Sequence, residues 1–397
     1  MKKIAIIGAG GKITTATILE LLNDDKTTSF QFSLYGRTAQ KIDNTMTLAA
    51  RFNARNAVFT QENSLEDTLA NADLVLYCAS YGLAAFEKYE AFGVQQGAFL
   101  FGIAERMVLL CPKAWLLVVT NPPDIPLLAA HMRFGIDRVI GLCNASVFTQ
   151  KVLSAYMGYD EKEFWPMDFG VNHELWYYDA QYRGISVYDE IRASLLENYG
   201  PETLDTPFHR EFPEWREGYL RNVAILRETG YLHGSVGGCR RFRDLPDTQM
   251  GTLMKRPSYA DFEALLNPDL TKDEILRGTR RCAAEFPIYI ADIVSSILLD
   301  EGRTQSALVL KDGAMVQLTC RYFADRVELP KFELPEFIEA TLASRIKQNL
   351  LLARALAEQD VRLLKQAAFV FPERMPFTEV AAPWKSDGNA EAWMSLN

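Results

Sequence analysis

The chain has 397 residues, a net charge of −9 and 48% hydrophobic residues. This composition is typical of a globular protein, with two packed units or one large α/β domain at this length. The acidic balance argues against a nucleic-acid partner, which would require a basic face for phosphate contacts. No run of 18 apolar residues occurs, so we expect no membrane partner.

The six cysteines are scattered along the chain without any Cys-x-x-Cys pair. In a chain this long the pattern indicates reduced thiols instead of a disulfide framework, so we expect a cytoplasmic protein.

The first half alternates apolar runs with helical patterns. We predict strands at 3–7, 31–35, 73–78, 115–120 and 138–143. Helices are predicted at 13–23, from the second strand to about Arg51, near 85–110 and at 124–134. Strands that are apolar throughout and alternate with helices predict a parallel, doubly wound sheet.

The second half changes character after an aromatic-rich segment at 160–180. The later predicted elements are helices at 186–229 and 256–299, strands around an Asp-Gly turn at 306–329, amphipathic helices at 335–371 and an extended tail from Pro376. We therefore predict an α/β protein with an N-terminal Rossmann domain over 1–150 and a C-terminal α+β domain over 151–397.

A glycine-rich turn follows the first strand, with the sequence Gly8-Ala9-Gly10-Gly11-Lys12. Glycines allow a tight turn and close approach of the backbone to a pyrophosphate, and the following helix supplies N–H groups. The strict G-x-G-x-x-G pattern is not met, because Ile13 stands at the third glycine position. We predict that Gly8, Gly10, Gly11 and Lys12 bind a dinucleotide; the alternative is a plain strand–helix turn.

The end of the second predicted strand reads Tyr35-Gly36-Arg37-Thr38. An acid at this point would bind the adenosine ribose, whereas Arg37 could pair with a 2′-phosphate. The residues alone therefore leave NAD and NADP open.

Cys143 ends a predicted strand, and His173 follows 30 residues later in the segment Gly170-Val171-Asn172-His173. One thiolate and one imidazole suit a divalent cation with open positions for substrate oxygens. Each residue could also pack in the core without binding anything.

Four segments together resemble the family-four glycoside hydrolases: 111–124 (CPKAWLLVVTNPPD), 141–144 (GLCN), 170–176 (GVNHELW) and 353–371. The third matches that family's Gly-x-Asn-His-x-x-Trp segment. The lactate and malate dehydrogenases are similar in the first half only.

The resemblance implies a glycosidase that uses NAD and Mn²⁺ or another divalent metal, outside the two-carboxylate mechanism of most glycosidases. In that family NAD⁺ takes a hydride from sugar carbon 3, and a tyrosine removes the carbon 2 proton. The aglycone is eliminated, water adds, and the hydride returns. The second domain then carries the substrate and metal sites and the contacts of a homodimer or homotetramer.

The resemblance also implies the roles of single residues. Cys143 and His173 become metal ligands, Asn121 contacts both substrate and cofactor, and Asn144 and Asn172 face the sugar. We assign Tyr231 as the catalytic base, with Asn144 beside the reacting sugar; Tyr219 is the alternative base. The resemblance favours NAD, and we predict NAD as the cofactor.

The chain departs from the family at 80–88 (SYGLAAFEK), which lacks the usual arginine. Arg240, Arg241 and Arg243 could replace it, or form a solvated basic turn. We expect a 6-phospho-glycoside or another acidic glycoside as the sugar substrate. The alternatives are a dehydrogenase of a small hydroxy acid or sugar, and a non-catalytic sensor that binds NAD and sugar.

Overall fold

The structure is a computed structural model of the full chain. It describes residues 1–23, 29–52, 57–79, 89–198, 222–234, 259–283 and 286–370. The tail from Pro376, Tyr219, the segment 80–88 and the arginines at 240, 241 and 243 lie outside the described residues.

The strands are β1 (Lys2–Ile7), β2 (Phe30–Tyr35), β3 (Ala57–Gln61), β4 (Leu74–Tyr77), β5 (Trp115–Val118), β6 (Val139–Gly141), β7 (Phe164–Val171), β8 (Glu174–Tyr182), β9 (Ile185–Ser186), β10 (Leu232–Gly234), β11 (Arg303–Lys311), β12 (Ala314–Tyr322) and β13 (Val327–Glu328).

The helices are α1 (Lys12–Asn23), α2 (Ala39–Ala50), α3 (Leu65–Leu69), α4 (Tyr89–Leu110), α5 (Asp124–Phe134), α6 (Ala145–Met157), α7 (Tyr188–Asn198), α8 (Tyr259–Glu263), α9 (Lys272–Cys282), α10 (Phe286–Leu299), α11 (Glu336–Glu358) and α12 (Val361–Val370). Residues 222–229 are also helical, and single 3₁₀ turns lie at Glu161–Glu163 and Ala264–Leu266.

The first six strands form a parallel sheet in the order β3-β2-β1-β4-β5-β6. This is the strand order of the doubly wound dinucleotide-binding fold. The predicted α/β class and Rossmann sheet are therefore confirmed.

The strands of the second half extend the same sheet with antiparallel neighbours, in the order β6-β11-β12-β7-β8-β10. The β11–β12 hairpin turns at Asp312 and Gly313, whose φ angles are 50° and 77°. Both residues adopt the left-handed conformation that a two-residue Asp-Gly hairpin turn needs, as the sequence predicted.

Alternate side chains of β1 enter two separate core layers. Ile4 and Ile6 pack with residues of α1, α2 and α10, whereas Ala5 and Ile7 pack with residues of α4, α5 and α11. Helices therefore cover both faces of the parallel sheet, which explains why its strands are apolar throughout. A third layer packs α6 and α7 against β8.

Several strands were not predicted, namely the short strands β9 and β10, the edge strand β3 and the β7–β8 hairpin. The β3 residues Ala57–Gln61 are mostly half-buried at the sheet edge, and their short apolar run gives only a weak sequence signal for a strand. The aromatic segment after Asp160 forms the β7–β8 hairpin. Most of its residues are buried, so its sequence lacks the alternation of apolar and polar residues that marks a half-exposed strand.

The boundary that we predict near residue 150 falls within α6, and the division into two domains stays a prediction. Among the described residues, no single helix is long and apolar enough to cross a membrane; α9 and α10 reach that length and composition only as a pair bent by 103°.

A carboxyl group is buried inside the sheet at Asp168 of β7, whose side chain is fully inaccessible. Burial raises the pKa of Asp168 to about 6, although hydrogen bonds from Ser306 and Thr319 oppose the shift. Because the pKa is raised in the folded protein, the folded state holds the proton more tightly than the unfolded chain.

We predict that ionisation of Asp168 destabilises the fold as pH rises from about 4 to about 6, by about 3 kcal/mol in total. Asp168→Asn cannot ionise. The free energy of unfolding of this variant relative to the wild type should therefore rise by about 1 kcal/mol between pH 5 and pH 7.5. Denaturant titrations at the two pH values measure this difference, and a difference independent of pH would contradict the assignment.

Candidate active site

The candidate site residues lie where parallel strands end. The glycine loop follows β1, Asn121 follows β5, and Cys143 follows β6. Because carboxyl ends of parallel strands meet at one edge of the sheet, these three segments share the edge at which doubly wound folds bind ligands.

Two glycines of the loop are required by its packing. Gly8 and Gly10 have φ angles of 89° and 85°. A Cβ atom at Gly8 would lie 2.6 Å from the Ala79 nitrogen, and one at Gly10 would lie 2.7 Å from Lys41 Cβ. A larger residue at either position would therefore disturb the fold as well as any ligand.

Gly11 is different, because it is exposed and caps α1. Its carbonyl accepts the Thr15 N–H at 2.9 Å, and a Cβ atom there would lie 3.3 Å from the Gly8 oxygen. Gly11 therefore offers a position at which a side chain can be added beside the helix N-terminus with only a small local shift.

Lys12 and Arg37 border the same loop. Lys12 is the half-buried first residue of α1, and Arg37 is exposed just after β2. The β2 end contacts the loop closely, since a Cβ atom at Gly36 would lie 2.6 Å from the Ala9 oxygen. The binding of a dinucleotide by these residues stays a prediction.

Cys143 and His173 come together although they lie on different elements. Cys143 Sγ and His173 Nε2 are 3.7 Å apart. Cys143 precedes α6 and is 4% exposed, and His173 lies in the turn of the β7–β8 hairpin. His173 has a φ of 62°, an uncommon backbone conformation that often marks functional positions.

The separation fits two ligands of one cation. A thiolate at about 2.3 Å and an imidazole nitrogen at about 2.1 Å from one ion lie about 3.6 Å apart at a tetrahedral angle. No third Cys, His, Asp or Glu completes a cluster with these two within the described ranges. Further ligands would therefore be oxygens of water or substrate.

The thiol depends on a cation for its reactive form. Burial raises the pKa of Cys143 to about 12, the backbone N–H groups of Ala145 and Asn144 lower it, and the charge of Asp124 raises it further. Cys143 is thus a neutral thiol at pH 7 unless a positive charge binds beside it. The donor pair and its surroundings fit a divalent cation.

Three asparagines surround this pair. Asn121 Nδ2 lies 3.1 Å from His173 Nε2, and Asn172 Nδ2 donates to Asn121 Oδ1 at 3.0 Å. Asn144 Oδ1 lies 3.9 Å from Cys143 Sγ. The structure thus brings together all five polar residues that we assign to the metal and the substrate, while their roles stay predictions.

Tyr231 lies in a different packing layer. Its ring stacks on Phe337 at 5.5 Å, against the core layer that contains Trp176, whereas Cys143 belongs to the layer with Leu175. The described contacts do not join Tyr231 to Cys143 or His173, so its role as base rests on the sequence alone.

Asp124 is a site neighbour that we did not predict. This buried carboxylate begins α5 three residues after Asn121, and it accepts a hydrogen bond from Asn349 Nδ2 of α11 at 2.8 Å. Its charge acts on Cys143. The acid within Asn121-Pro122-Pro123-Asp124 was visible in the sequence, but only the fold places it near the thiol.

Three comparisons show which known proteins this chain is similar to. A model of "Family 4 glycosyl hydrolase" matches residues 89–159. An alpha-galactosidase of Bacillus subtilis (strain 168) is 25% identical over 94% of this chain and 93% of its own. A 6-phospho-beta glucosidase from Thermotoga maritima, solved with manganese, NAD⁺ and glucose-6-phosphate, has a TM-score of 0.68 and 12% identity, covering 97% of this chain and 99% of its own.

The chain is therefore similar to the family 4 glycosyl hydrolases in part of its sequence and to a solved member's fold over nearly its whole length. Malate dehydrogenase from Plasmodium falciparum has a related fold, with a TM-score of 0.57 and 16% identity over 90% of this chain and all of its own. This likeness of fold extends beyond the first half, to which we confined the sequence resemblance.

We predict that Gly11→Asp weakens NAD binding about tenfold or more, because a carboxylate at the α1 N-terminus repels the pyrophosphate. Gly11→Asn is the matched control: Asn and Asp cap helices equally well, so only the charge differs. Calorimetric titration with NAD checks this, and equal affinities for the two variants would show that the pyrophosphate binds elsewhere.

A second substitution tests the cation site. Cys143→Ser should weaken Mn²⁺ binding about 100-fold or more, because a hydroxyl does not replace the thiolate ligand. Cys111→Ser makes the same change at another buried thiol and should leave Mn²⁺ binding unchanged. Mn²⁺ titration by electron paramagnetic resonance measures both, and unchanged binding in Cys143→Ser would refute the assignment.

Proposed function

We propose that this chain is a glycoside hydrolase that depends on NAD and a divalent cation and acts on a 6-phospho-glycoside or another acidic glycoside. The observation that carries the proposal is the 3.7 Å contact between Cys143 Sγ and His173 Nε2. Cys143 lies at the same edge of the sheet as the glycine loop. The similarity to family 4 glycosyl hydrolases supports the reaction class, and the structural neighbour solved with manganese, NAD⁺ and glucose-6-phosphate supports the ligands.

Each part of the site has a defined task in this proposal. Cys143 and His173 hold the cation, and Gly11 with the α1 N-terminus faces the pyrophosphate. Asn121 lies beside His173 and orients a sugar hydroxyl toward the nicotinamide, while Asn144 and Asn172 bind neighbouring hydroxyls. When bound, NAD⁺ supplies a reversible hydride acceptor and the cation polarises the sugar oxygens.

The remaining step is removal of the proton on carbon 2 of the sugar by a base of this chain, for which we propose Tyr231. A tyrosine ionises near pH 10 in water, so this role requires a nearby positive charge to stabilise the phenolate. On the resemblance alone we also propose a cytoplasmic homodimer or homotetramer.

Turnover in D₂O tests the reaction class. We predict that the product sugar carries deuterium at carbon 2, because a proton removed by a base returns from solvent. An ordinary two-carboxylate glycosidase never touches that hydrogen. Nuclear magnetic resonance of the product, from a panel of nitrophenyl glycosides and their 6-phosphates with NAD and Mn²⁺, gives the label position.

Tyr231→Phe is the matched variant, expected to lose turnover while still binding NAD and Mn²⁺. Cleavage with unlabelled carbon 2 would exclude elimination chemistry. Steady accumulation of NADH without cleavage would identify a dehydrogenase, and binding of both cofactors without any turnover would identify a sensor.

A further inference from the structure

A buried polar cluster lies between the elements that carry Cys143 and His173. Ser306 of β11 donates its hydroxyl to Asp168 of β7, and Thr319 of β12 donates to Asp168 Oδ1 at 2.7 Å. Gln317 Nε2 of β12 donates to Ser306 Oγ at 2.8 Å and lies 3.4 Å from Ser146 Oγ of α6. The cluster therefore connects three strands to a helix.

Gln317 stands at the centre of this connection. Its side chain is fully buried, and its backbone pairs with Gly170, three residues before His173. Ser146, the residue that its amide reaches on α6, lies three residues after Cys143. One side chain thus links the first turn of α6, which begins two residues after Cys143, with β12, which pairs with the first strand of the His173 hairpin.

A buried amide is costly unless it is hydrogen-bonded, and an apolar side chain of the same size would pack here without that cost. Cys143 and His173 lie on separate elements, so no covalent geometry sets their distance. A metal site tolerates changes of only about 0.2 Å in its ligand distances. A rigid connection between α6 and the hairpin would supply that precision.

We propose that Gln317 is a positioning residue that fixes the distance between Cys143 Sγ and His173 Nε2 by tying the start of α6 to β12 and, through it, to the β7–β8 hairpin. The inference rests on the proposed cation site for its functional meaning. It assigns Gln317 no contact with cation, cofactor or substrate.

The variant Gln317→Met keeps the length of the side chain and removes both N–H donors. Thr319→Val is the matched control, because it removes a hydrogen bond of the same cluster that does not reach α6. Cobalt titration of the two proteins, followed through the thiolate-to-cobalt absorption band, reports the geometry of the pair independently of activity.

We expect Gln317→Met to weaken Co²⁺ binding about tenfold or more, the scale of residues that orient metal ligands. Thr319→Val should stay within about twofold of the wild type, even where thermal unfolding shows a similar loss of stability. Wild-type Co²⁺ affinity in Gln317→Met, or equal losses in both variants, would overturn the proposal.

A second measurement does not depend on the cation. In metal-free native protein, alkylation of each cysteine is followed by mass spectrometry of peptides, with buried Cys111 as the internal reference. Gln317→Met should accelerate modification of Cys143 about fivefold relative to Cys111, because only the start of α6 opens more often. Equal acceleration of both thiols would reduce Gln317 to a general stabilising residue.

The two measurements separate this inference from the proposed function. If the wild type binds no Co²⁺ but Gln317→Met selectively exposes Cys143, the cation site is wrong and the tie between α6 and the hairpin is upheld.

Discussion

The contact between Cys143 Sγ and His173 Nε2 joins a helix start to a hairpin turn 30 residues later in the chain. Burial keeps the Cys143 thiol neutral by raising its pKa. Neighbouring backbone N–H groups lower that pKa, whereas the charge of Asp124 raises it further. A cation between Cys143 and His173 would stabilise both the thiolate and the nearby Asp124 carboxylate. In the proposed function, the rest of the site would hold these two side chains in place and bring a sugar and a dinucleotide beside them.

The fold supplies that arrangement through the parallel half and the antiparallel half of one sheet. The parallel half places the glycine loop, Asn121 and Cys143 at one edge of the sheet. This is the edge at which doubly wound proteins bind their ligands. The antiparallel half adds the hairpin that carries His173, and its strands are tied to α6 by a buried network that includes Asp168 and Gln317. A fold similar to that of malate dehydrogenase therefore holds the Cys143–His173 contact between its parallel and antiparallel halves.

Many of the strands, turns and helices could be predicted from the sequence, because each one depends on a short local pattern of residues. The apolar run of β1 followed by three glycines predicted a strand, a turn and a helix, and Asp312-Gly313 predicted its hairpin. The pairing of Cys143 with His173 was predictable only through the resemblance, since no spacing rule brings a strand end to a distant turn. Asp124 and the Gln317 network could not be predicted, because their roles depend on contacts with α11, β11 and α6 that no local pattern encodes.

In the proposed function, cleavage of the glycosidic bond would require oxidation of the sugar at carbon 3 by a dinucleotide held at the glycine loop. Hydrolysis of a glycoside deuterated at carbon 3 tests it most directly. We expect slower turnover than with the unlabelled glycoside, together with deuterium still at carbon 3 of the released sugar, because the same hydride would return. Equal rates for labelled and unlabelled substrate, with Tyr231→Phe as active as the wild type, would contradict this mechanism. Such a result would indicate hydrolysis without oxidation of the sugar.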